Sequence, residues 1–250
     1  QSAQASLIHS GKLAALGEVS SGLAHELNNP LTIVIGYVEL VRQWIRSGRT
    51  SPGERVELDS YLEKTERNLE RMNAIIRHIM EFARESRPTK QPTFLAEVVE
   101  KSLILINEQL RLKNIHVQMD LEAGLMAEID PSKLEQVFIN LMSNSRDAIV
   151  LAHGEAGGWI RVRSYAASRS ELEVEVSDNG IGMDSETRSK VFHPFFTTKD
   201  VGEGTGLGLS ISHGIVQDHG GSIACVSEPG HGAAFLIRLP RFLPSETAGS

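Results

Sequence analysis

Apolar residues recur at three-four spacing through the first third of the chain. Leu13, Leu16, Leu23, Leu27, Leu31, Val34, Val38, Val41 and Ile45 form one series, with Ser20 at the one skipped step. Leu58, Leu62, Thr65, Leu69, Met72, Ile76, Ile79 and Ala83 form a second. Spacing sustained over this length predicts two long helices in a coiled-coil-like seam or helical bundle. Between them SGRTSPGE, residues 47–54, carries the Gly, Ser and Pro of a turn. Residues 7–86 are therefore expected to form a helical hairpin. Two helices alone enclose no core, so a second copy is expected to complete a four-helix bundle, making the protein a homodimer.

The pattern changes after SRPTKQP (86–92), whose two prolines read as a linker. FLAEVVEKSLILINEQLRLK predicts an amphipathic helix, and NIHVQMDL and LMAEI alternate as strands. DPSKLEQVFINLMSNSRDAIVLA predicts a helix with an Asp130 N-cap and Pro131 in its first position. WIRVRSYAA, ELEVEVSD, SIACVSE and AAFLIRLP read as four further strands. Glycines concentrate between residues 154 and 232. The class is α+β: a helical hairpin followed by an α/β sandwich with a ligand site. The expected boundaries are a hairpin over 1–86, a linker over 87–92, an α/β domain over 93–242 and a polar tail over 243–250.

The formal charge of −7 gives nucleic acid no basic face and argues against sustained contact with an anionic membrane. No run approaches the roughly 20 apolar residues of a membrane span. Cys225 is the single cysteine, so no disulfide framework exists within a chain and a reducing cytoplasm is the default expectation. Within SIACVS it reads as a small core residue. The first residue is Gln1 and the pattern is already helical there, so the sequence reads as part of a longer polypeptide with any sensing portion upstream.

Within GLAHELNNPLTIVIGY (22–37) a histidine and a proline interrupt the first helix. His25 stands two residues from Leu23 and from Leu27, about 200° around the helix, and so is expected to point away from the seam. Asn29 follows one turn later on that exposed side, and Glu26 is adjacent. Pro30 removes the backbone bond to the Glu26 carbonyl and is expected to bend and loosen the helix. An imidazole with a pKa near about 6.5 is largely neutral at cytoplasmic pH and serves as a nucleophile. Glu26 would orient its Nδ1–H or accept a proton, leaving Nε2 free.

Four stretches in the second half carry further chemistry. NLMSNSRDA places Asn140 and Asn144 on one helix face, where two amide oxygens help hold a magnesium ion. SDNGIGM ends a strand with Asp178, a carboxylate suited to an exocyclic amine, in a glycine turn open to close approach. FHPFFTTK supplies aromatic rings and a cation, and GEGTGLGLS is a glycine loop running into a helix, a phosphate-binding arrangement. It is neither a P-loop nor a dinucleotide fingerprint: GxxxxGK[ST] is absent, the glycines alternate, and no strand leads directly into them.

The order of these motifs resembles the two-component sensor histidine kinases. HELNNP is similar to the family's phosphoacceptor box, and the four later stretches are similar to its N, G1, F and G2 boxes. The FFTTK form resembles most the subgroup that includes nitrogen-regulation kinases. The resemblance, over roughly residues 10–240, implies a mixed sheet backed by helices, ATP and Mg2+ as cofactors, and phosphotransfer from His25 to an aspartate of a response regulator receiver domain. It implies that Glu26 is base or orienter, and that Asn29 positions water for dephosphorylating the partner. It also implies that Asn144, with Asn140, holds magnesium, and that Asp178 reads adenine in a pocket shaped by Gly180 and Gly182. Asp147, Phe195, Thr198, Lys199, Gly204, Thr205, Gly206, Leu207 and Gly208 would complete the nucleotide site.

Two other readings remain at this point: an ATPase of the same superfamily and a non-catalytic nucleotide-binding scaffold. The superfamily's ATPases carry a glutamate where Asn140 stands, and an amide takes no proton at neutral pH. The site therefore suits transfer to an outside acceptor, which the linker would allow to approach. The presence of Asn144 and Asp178 counts against the scaffold.

Overall fold

A computed structural model describes residues 20–47, 52–83, 88–199 and 206–243. The chain divides into two units, residues 1–86 with 197–205, and residues 87–196 with 206–250. Leu13, Leu16 and the middle of the 47–54 turn lie outside the described residues.

The first unit contains helices α1 (Ser20–Ser47) and α2 (Pro52–Ala83), which pack on each other. α1 runs unbroken through Pro30, and the Thr32 hydroxyl donates to the Asn28 carbonyl at 2.8 Å just beyond it. The predicted seam divides into two stripes. Leu27, Pro30, Val34, Tyr37, Val41 and Trp44 are buried or half-buried on α1, as are Leu58, Tyr61, Thr65, Asn68, Met72 and Ile75 on α2. Tyr37 stacks on Tyr61 with ring centroids 5.7 Å apart, and Lys64 Nζ lies 5.6 Å from the Tyr37 centroid. Leu31, Val38 and Ile45, expected inside, are exposed together with Ile35, and so are Leu62, Leu69 and Ile76. A helix facing one neighbour buries a narrow stripe. The adjacent stripe, shifted by one residue, is left outside.

In the second unit β1 (Gln91–Phe94) precedes α3 (Leu95–Arg111), β2 (Ile115–Leu121) and β3 (Met126–Ile129). Gln91 and Pro92, read as linker from sequence, open β1, which pairs antiparallel with β3. A two-stranded edge tolerates a residue without N–H. α4 (Pro131–His153) starts at the expected cap: Asp130 accepts from the backbone of Ser132 and Lys133. β4 (Gly158–Ala166), β5 (Glu171–Asp178), the short α5 (Ser185–Lys190), α6 (Gly208–Asp218), β6 (Ser222–Ser227) and β7 (Ala233–Pro240) complete the unit. α5, capped by Asp184, had no sequence expectation.

Five strands form a mixed sheet in the order β2-β4-β5-β7-β6. β2 and β4 are parallel, and α4 lies in the crossover between them. The remaining pairs are antiparallel. One face, through Ile160, Val162, Val174, Val176, Phe235 and Ile237, shares a buried core with α3, α4 and α6. The other face is covered by its own side chains. Arg163 Nη2 donates to both Glu175 oxygens at 2.9 Å, and Glu173 accepts from Arg238 Nε at 2.6 Å and from Tyr165. The result is a two-layer α/β sandwich.

Candidate functional site

Asp178 is the last residue of β5 and 4% exposed. Its Oδ1 accepts from Gly180 N–H at 2.9 Å and from Ala233 N–H at 3.3 Å. Its Oδ2 accepts from the Ser145 hydroxyl of α4 at 2.8 Å. Burial pushes this carboxyl above the usual carboxylate range, and the Gly180, Ser145 and Ala233 donors act in the opposite direction. Ala233 contributes through its backbone N–H, so its side chain is not used in this bond.

The two glycines of SDNGIGM are where the turn needs them. A Cβ at Gly180 would strike Ala148 of α4, and one at Gly182, at φ +69°, would run into the Glu228 carbonyl. Gly232, at φ +75°, is equally tight against the Asp178 carbonyl. Ser227 ties this corner together: its Oγ donates to the Gly232 carbonyl at 2.6 Å and accepts from Met183 N–H at 2.8 Å.

On α4, Asn140 and Asn144 are both half-buried and lie one turn apart. The Asn140 amide donates through Nδ2 to Ser212 Oγ at 2.9 Å, and a Cβ on Gly208 would collide with its Oδ1. Gly208 thus lets the start of α6 close on α4. Asp147 is paired with Arg146 at 2.6 Å, and Arg146 also donates to Gln109 of α3. Leu207, fully buried, precedes α6 and offers no side-chain cap. N–H groups at a helix start have no intrahelical acceptor and suit an anion. Phe195 has φ +65°, and Gly206, at φ +62°, sits where any Cβ would meet the Phe195 backbone.

Residues 129–242 match the family described as Histidine kinase-, DNA gyrase B-, and HSP90-like ATPase, and residues 15–88 match the His Kinase A (phospho-acceptor) domain. The signal transduction histidine-protein kinase AtoS of Escherichia coli is 36% identical over 92% of this chain, and the sensor protein FixL of Bradyrhizobium diazoefficiens is 32% identical over 96%. The crystal structure of histidine kinase ThkA in complex with response regulator protein TrrA superposes with a TM-score of 0.74 at 27% identity, over 94% of this chain and 64% of that one. The catalytic domain of ThkA is 32% identical over 97% of its own length and 61% of this chain, with a TM-score of 0.53. This chain belongs to the two-component sensor histidine kinases. It spans 35% of AtoS and 46% of FixL, so these relatives are longer proteins.

Asp178, Gly180, Gly182, Asn140, Asn144, Gly206, Leu207 and Gly208 all lie in the α/β unit. Thr198 and Lys199 belong to the segment grouped with the helical unit. Gly204 and Thr205 lie outside the described residues. His25 and Glu26 lie on α1, and their side chains are outside what is described, so the expected outward direction of His25 is too. Asn29 is exposed on the same helix. Sequence reasoning missed Ser145, Ser212, Ser227 and Gly232. For Ser145 a signal exists: it is a polar residue within the apolar stripe Leu134, Phe138, Leu141 and Ile149.

Proposed function

We propose that this chain is the kinase core of a sensor histidine kinase, which transfers the γ-phosphoryl of ATP to His25 and then to an aspartate of a response regulator. The observation that carries it is Asp178: a buried carboxylate at a strand end, held by three neutral donors and with no cation bonded to it among the described residues. Such a group accepts the exocyclic amine of adenine. Asn144 and Asn140 offer neutral oxygens of the hard type that Mg2+ takes alongside phosphate oxygens, so the residues present fit that ion. When bound it would neutralise phosphate charge. The first turn of α6 would receive phosphate oxygens.

Neutral His25 attacks the γ-phosphorus through Nε2. The bond to the β-phosphate oxygen breaks, ADP leaves, and Glu26 orients or takes the Nδ1 proton. Phosphorus then passes to a carboxylate oxygen of the receiver domain and restores the imidazole. Asn29 orients the water that later hydrolyses the acyl phosphate. The exposed stripes Leu31, Ile35, Val38 and Ile45, and Leu62, Leu69 and Ile76, support a second copy as partner of the hairpin. The nitrogen-regulation subgroup rests on the FFTTK form alone.

Incubation with γ-labelled ATP and magnesium, followed by mapping of the label, tests the proposal. Acid-labile, base-stable label on His25, absent from His25→Ala, is expected. Free phosphate with unlabelled protein, unchanged in His25→Ala, would establish an ATPase instead. Asn29→Ala is expected to lower phosphatase activity on the regulator more than autokinase activity. Equal losses would remove that role.

A further inference from the structure

Ser145 is 1% exposed and lies on the α4 face that packs into the core. A buried hydroxyl costs free energy unless it is bonded, and an alanine here would continue the apolar stripe without that cost. Its bond in the structure is to Asp178 Oδ2. A carboxylate offers about four acceptor positions, two on each oxygen. Gly180 and Ala233 fill those of Oδ1, and Ser145 fills one on Oδ2. One position on Oδ2 remains for a ligand amine. We infer that Ser145 is a positioning residue for purine recognition, whose hydroxyl holds the Asp178 carboxylate as an ionised acceptor with one position on Oδ2 left for a ligand amine. The inference rests on the reading of Asp178 as the adenine acceptor.

Charge state decides what Asp178 can do. As a carboxylate it accepts from an amine, and once protonated it becomes a donor on one oxygen. Burial favours the protonated form, and the three donors oppose burial. Two of these are backbone N–H groups, from the glycine turn and the β7 start, so Ser145 is the one donor among the three supplied by a side chain. The ionisable groups of the surrounding elements do not replace it. Arg146 and Asp147, flanking it on α4, pair with each other. Arg188 of α5 donates to the Ser227 carbonyl at 3.0 Å. Cys225 of β6 is pushed by burial up to about 11 and stays neutral across the working pH range.

The test is equilibrium binding of Mg-ATP to the whole chain between pH 5.5 and 8.5, for wild type, Ser145→Ala and Asp178→Asn, with the thermal midpoint without nucleotide as a check of folding. Asp178→Asn is expected to lose affinity by about 100-fold at every pH, because an amide presents the amine with a competing donor. Ser145→Ala is expected to lose about threefold at pH 8.5 and more than about tenfold at pH 5.5, against a flatter wild-type profile. An Asp178→Asn variant that binds as wild type does would overturn the adenine reading itself. With Asp178→Asn impaired, a Ser145→Ala profile that matches wild type, or lies below it by one constant factor at all pH values, overturns the role of Ser145 and leaves it a packing residue.

Discussion

The two units solve the problem of their apolar residues in opposite ways. In the α/β unit Leu134, Phe138, Leu141, Val174 and Ile237 are each at most 1% exposed, and the outer sheet face carries Arg–Glu pairs. In the hairpin Ile75 is the only aliphatic side chain buried to that degree among those described, while Leu31, Ile35, Val38, Leu62, Leu69 and Ile76 are between 39% and 51% exposed. One unit encloses a core of its own, although Ile104, Leu105, Leu112 and Leu151 are exposed on or just after its helices; the other buries little and presents a second stripe. The chemistry divides the same way. Asp178, Asn140 and Asn144, the residues proposed for the nucleotide, sit in the α/β unit, where glycines allow close backbone approaches. His25, the proposed phosphoryl acceptor, sits on α1 of the hairpin, which carries the exposed stripe.

The comparison can be broken most forcefully in the core. Phe138→Ala should destabilise the α/β unit by about 3–5 kcal/mol and abolish nucleotide binding at growth temperature, with hairpin helicity unchanged. Loss of both unfolding transitions in calorimetry would show that the units are not independent. Next in size is the second stripe. Leu62→Glu with Leu69→Glu should raise the dimer dissociation constant about 100-fold or more in sedimentation, and leave ATP affinity intact. A dimer that survives both charges would place the partner surface elsewhere.

A smaller effect concerns His219, which is 4% exposed, accepts from Asp130 N–H at 2.9 Å through Nε2, and bonds the Ile215 carbonyl at 2.7 Å through Nδ1. Burial lowers its pKa below about 6.5, so the folded unit holds it neutral. The unfolded chain then binds the extra proton first. This stability is fully present above pH about 6.5 and is lost as pH falls below it. Denaturant unfolding at pH 7.5 and 5.5 should show that loss, reduced in His219→Gln. An equal loss in both proteins would assign it to other groups. The smallest change is expected at Pro30, where Pro30→Ala should slow hydrogen exchange around residue 26 and lower the autophosphorylation rate a fewfold. If neither moves, the proline has no part in freeing the histidine.

Much of the fold was legible because its signals are local. Asp130 before Pro131 marks a helix start wherever the chain goes, and ELEVEVSD alternates whatever it pairs with. Asp178, Gly180 and Gly182 were legible as a turn after a strand. What the glycines touch was not, because Ala148 and Glu228 are far from them in sequence. Ser145 and Ser212 escaped for the same reason: a hydroxyl inside a helix looks neutral until its partner is known. In the hairpin two stripes one residue apart share the same periodicity, so spacing alone does not say which faces the neighbouring helix and which is left for a second copy.

Sequence by itself determined most of the order of elements, α5 and the start of β1 excepted, and the kinase family, since each depends on short runs of neighbours. Tertiary structure alone decided the strand order, which of the two stripes is inside, and that three donors from α4, the glycine turn and β7 converge on one buried carboxylate. These features come from segments distant along the chain, and packing density and hydrogen-bond satisfaction select their arrangement only when the whole unit is assembled.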